Sequence, residues 1–186
     1  MGADYSAPSD MEANMKIAGI DASSNKTGIA IFEDGKYIEH TLIDLHKIKD
    51  INKRIPMMID EICKYLNKFK PDKIIMEETV MTSNASTLKK LSYLAGGVMF
   101  YAYKKSAEFE LTIPSAWRKK CGLEQSSKVQ REVLKLESMQ AVKMEYGLEV
   151  TDDESDAILI CRSGFDLPKI DIKADDVDMS LAIMLD

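Results

Sequence analysis

The order of its strand and helix patterns most constrains how this 186-residue chain can fold. Three β-rich runs come first, and the second and third flank Glu33-Asp34-Gly35, where the Asp-Gly pair favours a tight hairpin turn. Helical patterns then alternate with short apolar runs: a helix, a strand, a helix, a strand and further helices. This order predicts an α/β fold with a mixed five-stranded sheet, antiparallel in its first three strands and flanked by helices.

The spacing of apolar residues predicts where the later elements begin and end. Apolar residues that recur every three to four positions indicate helices, and brief apolar runs between breakers indicate buried strands. Pro114 favours the first turn of a short helix, with Trp117 as its apolar anchor. The longer helices are predicted at about 49–69, 86–106, 128–146 and 153–163, and the strands at 73–76 and 109–113.

Charge divides the chain into three parts. Residues 1–14 carry −3 and are polar and unpatterned, so we expect a disordered leader or a remnant of expression. Residues 166–186 form an acidic tail that carries −4. The predicted folded domain between them, 15–165, carries +1, although the whole chain carries −6. Acidity therefore lies at the ends, and the central domain can face a polyanion such as DNA.

The chain lacks the sequence patterns of secreted and membrane proteins. It contains no run of 18 apolar residues, and its amino-terminal segment has no basic region followed by an apolar stretch. Cys63, Cys121 and Cys161 form no CxxC pair, which favours reduced thiols over a zinc site or a disulfide framework. We therefore expect a cytoplasmic protein without a membrane partner.

Four acidic residues stand out by their positions. Asp21 ends the first strand and Glu77 ends the fourth, while Asp153 and Asp156 lie three apart on one face of the last helix. If the first and fourth strands are parallel neighbours, Asp21 and Glu77 meet at the edge where open α/β sheets place their sites. The alternative is structural, because Asp often forms turns after strands and acidic residues often compensate the dipole in a first helical turn.

Such a cluster of carboxylates predicts metal chemistry. Clustered carboxylates repel one another and are stabilised by cations between them, and their hard oxygen atoms suit Mg²⁺ or Mn²⁺. Two such ions ~4 Å apart activate water and stabilise the leaving oxygen of a phosphodiester, so no nucleophilic side chain is needed. His40 and His46 lie on or just after the third strand, where we expect a surface role. The four acids therefore predict a nuclease with two metal ions.

The sequence resembles the RuvC family of Holliday junction resolvases in three motifs. In chain order they are Gly19-Ile20-Asp21-x-Ser23 with Thr27-Gly28, Pro71-Asp72 with Ile75-Met76-Glu77, and Asp153-x-x-Asp156-Ala157. The resemblance runs from about residue 15 to residue 161. It implies an RNase H-like fold, a homodimer that makes paired nicks in opposed strands of a four-way junction, and metal ligation by the four acids.

The resemblance also implies contacts with DNA phosphates and with a second subunit. Arg118, Lys119 and Lys120 lie where these resolvases keep basic residues, and Lys128 resembles another at a helix start, where free backbone N–H groups also suit a phosphate. A solvated helix face is the alternative. Helix 86–106 resembles the family's dimer helix, and its two adjacent glycines would let another backbone approach closely. Ordinary packing against the sheet is the alternative there.

Two departures from the family pattern bear on specificity. Val80 occupies the position three beyond the second acid, where the cellular enzymes have an aromatic residue. We therefore expect the protein to accept several branched structures, forks included, rather than one strict cut-site sequence. Glu78 lies beside Glu77 and leaves open which of the two binds metal. These departures resemble bacteriophage members of the family.

Other functions remain open at this point. The segment from Asp21 to Gly28 would pass for the phosphate-binding hairpin of actin-like ATPases and kinases, but those proteins need two such domains and this chain supplies one. A non-catalytic protein that binds branched DNA would not need all four acids. An RNA-processing relative would discriminate through the 2′-hydroxyl, for which the sequence shows no motif.

Overall fold

A mixed five-stranded sheet with helices on both faces forms the body of the protein, and this confirms the predicted fold class. The structure, a computed structural model, describes residues 14–78, 85–123 and 130–172. Its strands are β1 (Lys16–Ala22), β2 (Lys26–Glu33), β3 (Lys36–Asp44), β4 (Lys73–Glu77) and β5 (Glu108–Thr112). Its helices are α1 (Ile51–Phe69), α2 (Ala85–Lys105), α3 (Pro114–Cys121), α4 (Arg131–Tyr146) and α5 (Asp152–Arg162).

The strand order is β3-β2-β1-β4-β5. The first three strands pair antiparallel, and the predicted hairpin between β2 and β3 turns at Asp34 and Gly35, both at positive φ. A positive φ at both central residues suits an Asp-Gly turn and matches the twist of the strands that it joins. β4 runs parallel to β1, and β5 runs parallel to β4. The predicted parallel pair of first and fourth strands is therefore confirmed.

Alternation along the strands divides the buried side chains between two cores. Ile17 of β1 and Ile75 of β4 belong to the core formed with α3, α4 and α5. Ala18 and Ile20 of β1, with Met76 of β4, belong to the core formed with α1 and α2. Because successive side chains of a strand point to opposite faces, odd-numbered residues of both strands face α5.

The helix boundaries agree with the predicted ones within a few residues, and the amino-terminal capping explains two of them. Asp50 caps α1, since its side chain accepts a hydrogen bond from the backbone N–H of Asn52. Thr151 and Glu154 form a reciprocal capping box at the start of α5. α4 begins at Arg131 in the structure, and Lys128, predicted at its start, lies outside the described residues, as does Val80.

The packed body extends past residue 165 into the stretch that the sequence assigned to the acidic tail. Ile170 and Ile172 are buried in the core around α5, and the backbone N–H of Ile170 donates to the Cys121 carbonyl. Residues 1–13 of the predicted leader and 173–186 of the predicted tail lie outside the described residues. None of the described helices is both long enough and apolar enough to cross a lipid bilayer.

The two adjacent glycines of α2 have different surroundings. A Cβ atom at Gly97 would lie 2.7 Å from Cδ1 of Ile59, so this glycine allows α2 to pack closely on α1 of the same chain. A Cβ atom at Gly96 would have no other atom within 4 Å. Core packing therefore explains Gly97, and only Gly96 belongs to the exposed side of the helix.

Candidate active site

The ends of two neighbouring strands place the first two acids side by side. Ile20 of β1 pairs with Met76 of β4, so Asp21 and Glu77 are the next residues along two parallel strands. Both have odd numbers and point to the face that α5 covers. Glu78, the next residue after β4, is exposed. Strand alternation therefore places Glu77, rather than Glu78, beside Asp21 on the face that α5 covers.

Two glycines of the sheet let α5 bring the other two acids to the same place. A Cβ atom at Gly28, which pairs with Asp21 across β1 and β2, would collide with the carbonyl of Asp153. A Cβ atom at Gly19 would come within 2.5 Å of the Ala157 carbonyl oxygen. Backbone therefore packs on backbone, and the first turns of α5 lie directly over the end of β1. This contact carries Asp153 and Asp156 to the strand ends.

The acids line one cleft of about 570 Å³. The cleft also receives cationic side chains from α3 and α4, namely Arg118, Arg131 and Lys135. Its carboxylates come from the ends of two strands, the residue after β4 and the first turns of one helix: Asp21, Glu77, Glu78, Asp152, Asp153 and Asp156. The four predicted acids are thus brought together, with Asp152 and Glu78 beside them.

Burial and mutual repulsion raise the pKa values of these acids. Burial raises the pKa of Asp21 well above its ordinary value, and the charges of Glu77 and Asp156 raise it further. The pKa of Asp156 rises to about 7, first through burial and then through the charge of Glu77. Burial also raises the pKa of Glu77, against the lowering effect of a hydrogen bond from Trp117. A cation among these groups would favour their ionised forms and reverse the shifts.

The donor set fits a divalent cation. Oδ1 of Asp156 is buried and has no hydrogen-bond partner, so it is an oxygen left over for another ligand. All the acidic donors of the cleft are carboxylate oxygens, which Mg²⁺ and Mn²⁺ prefer. Within the described part of the chain, no three Asp, Glu, His or Cys side chains stand close enough together to enclose an ion as they are. The acids therefore lie in the same cleft, but farther apart than carboxylates that ligate a common ion.

The predicted basic residues are placed differently from one another. Arg118 lines the cleft but is buried, pairs with Glu137 and donates to Ser138, so it does not lie on a solvated helix face. Lys119 is exposed, while the Lys120 amine donates to the Ser163 carbonyl beside a second cleft. The phosphate contacts expected of these residues and of Lys128 stay predictions, and an Arg118 contact would compete with the partners that it already has.

Sequence reasoning missed three residues of the cleft. Trp117, expected only to anchor α3, donates its indole N–H to Oε2 of Glu77 at 2.8 Å. Lys135 of α4 pairs with Asp152, and Arg131 lies one helical turn before it. The spacing of residues 128, 131 and 135 was a signal for a basic helix face, because positions three and four apart are neighbours on a helix. No local pattern pointed to the contact between Trp117 and Glu77.

The sequence of the chain is similar to that of one family of known proteins. The family model described as crossover junction endodeoxyribonuclease RuvC matches residues 17–161. The RuvC protein of Xanthomonas euvesicatoria is 27% identical over 89 residues, which are 45% of this chain and 51% of that protein. That of Dictyoglomus thermophilum is 25% identical over 159 residues, 80% of this chain and 95% of the relative. The chain spans about half the length of the first two curated relatives that it matches.

Solved structures show the same fold. Thermus thermophilus RuvC in complex with a Holliday junction superposes with a TM-score of 0.65 at 15% identity, covering 80% of this chain and 92% of that chain. The yeast mitochondrial Holliday junction resolvase superposes with a TM-score of 0.54 at 16% identity, covering 80% and 77%. The fold is therefore RNase H-like. Since the matched residues 17–161 make up most of the protein, the chain belongs to the RuvC family of crossover junction endodeoxyribonucleases.

Proposed function

We propose that this protein is a metal-dependent endonuclease that cuts branched DNA, with four-way junctions as its principal substrate. One observation carries the proposal: four acids from two strand ends and one helix line a single cleft in an RNase H-like fold. Family membership supports the same activity. So do the relatives, which are named crossover junction endodeoxyribonucleases, and the neighbouring structures solved with Holliday junction DNA.

The metal site that we propose consists of Asp21, Glu77, Asp153 and Asp156. When bound, two Mg²⁺ or Mn²⁺ ions supply an activated water and stabilise the leaving oxygen of the phosphodiester. The protein itself holds the four carboxylates in position. The strand ends hold Asp21 and Glu77, and the capping box of α5 fixes the turn that carries Asp153 and Asp156. Lys135 pairs with Asp152 and so neutralises a further carboxylate beside this set.

The charge around the cleft supports DNA as the substrate. The acidic floor of the cleft would repel a phosphodiester on its own, so cations are required between the acids and the DNA. Arg131 and Lys135 add positive charge to the α4 side of the cleft, and Lys119 is exposed on neighbouring α3. Phosphate contacts of this kind are sequence-independent and weaken with salt. They suit an enzyme that selects the shape of a junction.

We further propose that two copies act together through α2. Its exposed large apolar side chains include Tyr93, Phe100 and Tyr103, which are 53%, 65% and 78% exposed. With Gly96 they follow one another at intervals of three, four and three residues, so they form one stripe along the helix. Gly96 adds no side chain to that stripe, so a second helix could lie close to α2 there. A symmetric pair would present two clefts to the two opposed strands of a junction.

A cleavage assay on a synthetic four-way junction tests the proposal. We expect paired nicks with Mg²⁺ or Mn²⁺, no nicks with a chelator, and slower cutting of unbranched duplex. Asp21→Asn and Glu77→Gln should each reduce the rate at least about 100-fold, because each removes a charged metal ligand. Junction binding should stay intact or become tighter, since less negative charge faces the phosphates.

The matched control for these variants is Asp60→Asn. Asp60 lies on α1 and forms an exposed ion pair with Lys64 outside the cleft, so this variant should cut at the normal rate. Near-normal cutting by Asp21→Asn or Glu77→Gln would overturn the metal assignment. Equal cutting of RNA and DNA junctions would point to the RNA-processing alternative. The expected cytoplasmic location and bacteriophage origin stay predictions.

A further inference from the structure

Helix α3 reaches the acids of the cleft through two neighbouring residues. Trp117 is 1% exposed, and its indole N–H lies 2.8 Å from Oε2 of Glu77, a residue 40 positions away in the chain. Indole is a donor only, so it can hold an ionised carboxylate oxygen but cannot itself ligate a metal. The hydrogen bond occupies one oxygen of Glu77 and leaves Oε1 for another ligand.

Arg118 reaches the other side of the cleft through α4. Its guanidinium pairs with Glu137 and donates to the Ser138 hydroxyl at 2.8 Å and to the Leu134 carbonyl at 3.2 Å. The Ser138 hydroxyl donates to the Leu134 carbonyl, and its proximity lowers the pKa of Asp156, against the larger effect of burial. Of two adjacent residues of α3, Trp117 therefore binds one of the four acids directly, and Arg118 holds a hydroxyl that lies near a second.

α3 is well fixed for such a role. Pro114 occupies its first turn, and Gly122 ends it in a left-handed conformation. Cys121 donates its thiol to the Leu159 carbonyl of α5, and its own carbonyl accepts from Ile170. The helix is thereby tied to α5, the element that carries Asp153 and Asp156. A side chain on α3 is consequently held at a fixed distance and orientation relative to those acids.

We propose that Trp117 is a positioning residue that orients Glu77 for metal binding and distinguishes it from the neighbouring Glu78. This inference rests on the proposed function. Glu78 follows the end of β4, is exposed, and its backbone N–H donates to the Thr112 carbonyl of β5. Without the indole N–H, the Glu77 side chain can rotate, and the two carboxylates then compete for the cation. Partners of metal ligands typically contribute ~10–100-fold to metal affinity.

Trp117→Phe removes the indole N–H while keeping an aromatic ring at the position. We expect its dissociation constant for Mn²⁺, measured by the paramagnetic resonance of free Mn²⁺ without DNA, to rise about tenfold. The Mg²⁺ concentration that gives half-maximal cutting should rise similarly, and junction affinity should stay unchanged. In a Glu77→Gln background the same substitution should have no further effect on Mn²⁺ binding, because the residue through which Trp117 acts has already lost its charge.

Two further variants separate this role from a general loss of stability. Tyr65→Phe removes another aromatic donor to a carboxylate, Glu39, outside the cleft, and should leave Mn²⁺ binding unchanged. The chain contains one tryptophan, so replacing all tryptophan by a benzothiophene analogue changes Trp117 alone and removes only the N–H. This isosteric variant should reproduce the loss of Mn²⁺ affinity with an unchanged melting temperature in the absence of metal.

The outcomes distinguish this inference from the proposed function. If the wild-type protein and Glu77→Gln bind Mn²⁺ equally weakly, the metal site itself is wrong and the proposal for Trp117 falls with it. If the wild-type protein binds Mn²⁺ and Glu77→Gln loses it, the site stands. Normal Mn²⁺ affinity of both Trp117→Phe and the benzothiophene protein would then overturn the positioning role alone.

Discussion

At the scale of single residues, the cleft combines groups that oppose one another in the metal-free protein. Asp21 and Asp156 are held where burial and neighbouring charges raise their pKa values. The hydrogen bond from Trp117 and the charges of Arg118 and Arg131 act in the other direction on Glu77. Such a site binds a cation well but lowers the stability of the metal-free protein. Functional sites often reduce stability in this way.

Asp156 makes the stability of the metal-free protein depend on pH. Its pKa is about 7 in the folded protein and ~3.9 in an unfolded chain, so the unfolded state releases this proton first as the pH rises. The free energy of unfolding therefore falls as the pH rises from about 4 to about 7. Above that range the full destabilisation by this group is present. Asp156→Asn should stabilise the metal-free protein on the order of a few kcal/mol at pH 8 and by less at pH 5.

Thermal unfolding in the presence of a chelator, compared at the two pH values, measures this difference. Asp60→Asn, on the exposed face of α1, serves as the control and should change the melting temperature little at either pH. The interpretation fails if Asp156→Asn shifts the melting temperature equally at pH 5 and pH 8. Cutting of the junction should be lost in the same variant, because the buried unpartnered oxygen would then belong to an amide.

At the scale of secondary-structure elements, the approach of α5 to β1 and β2 decides whether the four acids meet. β1 and β2 have more contacts with α5 than with any other helix, and Gly19 and Gly28 allow backbone to touch backbone there. The capping box of Thr151 and Glu154 then sets the rotation of the first turn. Strand ends alone would supply two acids, and the helix supplies the other two only at this close distance.

Gly28→Ala tests the close approach. The added methyl group would collide with the Asp153 carbonyl, a backbone group that can move only if the start of α5 moves. We expect cutting to fall at least about tenfold, because misplacements near 1 Å at reacting groups carry costs of that order or more. Overpacking should also destabilise the fold by ~1–3 kcal/mol. Cleavage rates and urea unfolding measure the two effects, and a wild-type rate would contradict the role assigned to Gly28.

At the scale of the whole molecule, two surface features bear on function: the acidic cleft, and an exposed stripe along α2. The stripe of α2 consists of Tyr93, Gly96, Phe100 and Tyr103, as defined above. Large apolar side chains that are exposed together on one helix face are typical of an interface. A dimer through this stripe would relate two clefts by a two-fold axis, which is the symmetry of a four-way junction cut in opposed strands.

Phe100→Asp tests whether the dimer exists and what it does. A charge at the centre of an apolar interface would be buried without a partner, so we expect monomers at micromolar concentration. Each monomer keeps its own cleft and should still nick, but the nicks in the two strands should become independent. Analytical ultracentrifugation and a supercoiled cruciform plasmid, which separates single from paired nicks, measure both effects.

The control for the interface is Ile38→Asp, which places the same charge at an exposed apolar residue of β3. This variant should sediment and cut as the unaltered protein does. A wild-type sedimentation coefficient and coupled nicking in Phe100→Asp would exclude α2 as the interface. Loss of nicking with a dimer still present would instead place Phe100 on the DNA.

The sequence by itself determined the order of elements, the parallel pairing of β1 with β4 and the meeting of Asp21 with Glu77. These follow from local patterns, because side-chain alternation and the position of an acid at the end of a strand are readable without knowing any helix position. The same patterns, together with three short motifs, led to the RuvC family, which comparison confirmed. The ligand roles of the four acids stay predictions that the experiments above decide.

Only the tertiary structure decided what surrounds those acids. Trp117 meets Glu77 across 40 residues, and Arg118 turns inward to Glu137 although its neighbour Lys119 is exposed. Lys135 reaches Asp152 between two helices. These contacts depend on the angles and distances at which α3, α4 and α5 pack on the sheet. Many side chains from distant parts of the chain together determine those angles and distances. No single segment of the sequence encodes the packing of these helices. The acids could therefore be predicted, and the residues that contact them could not.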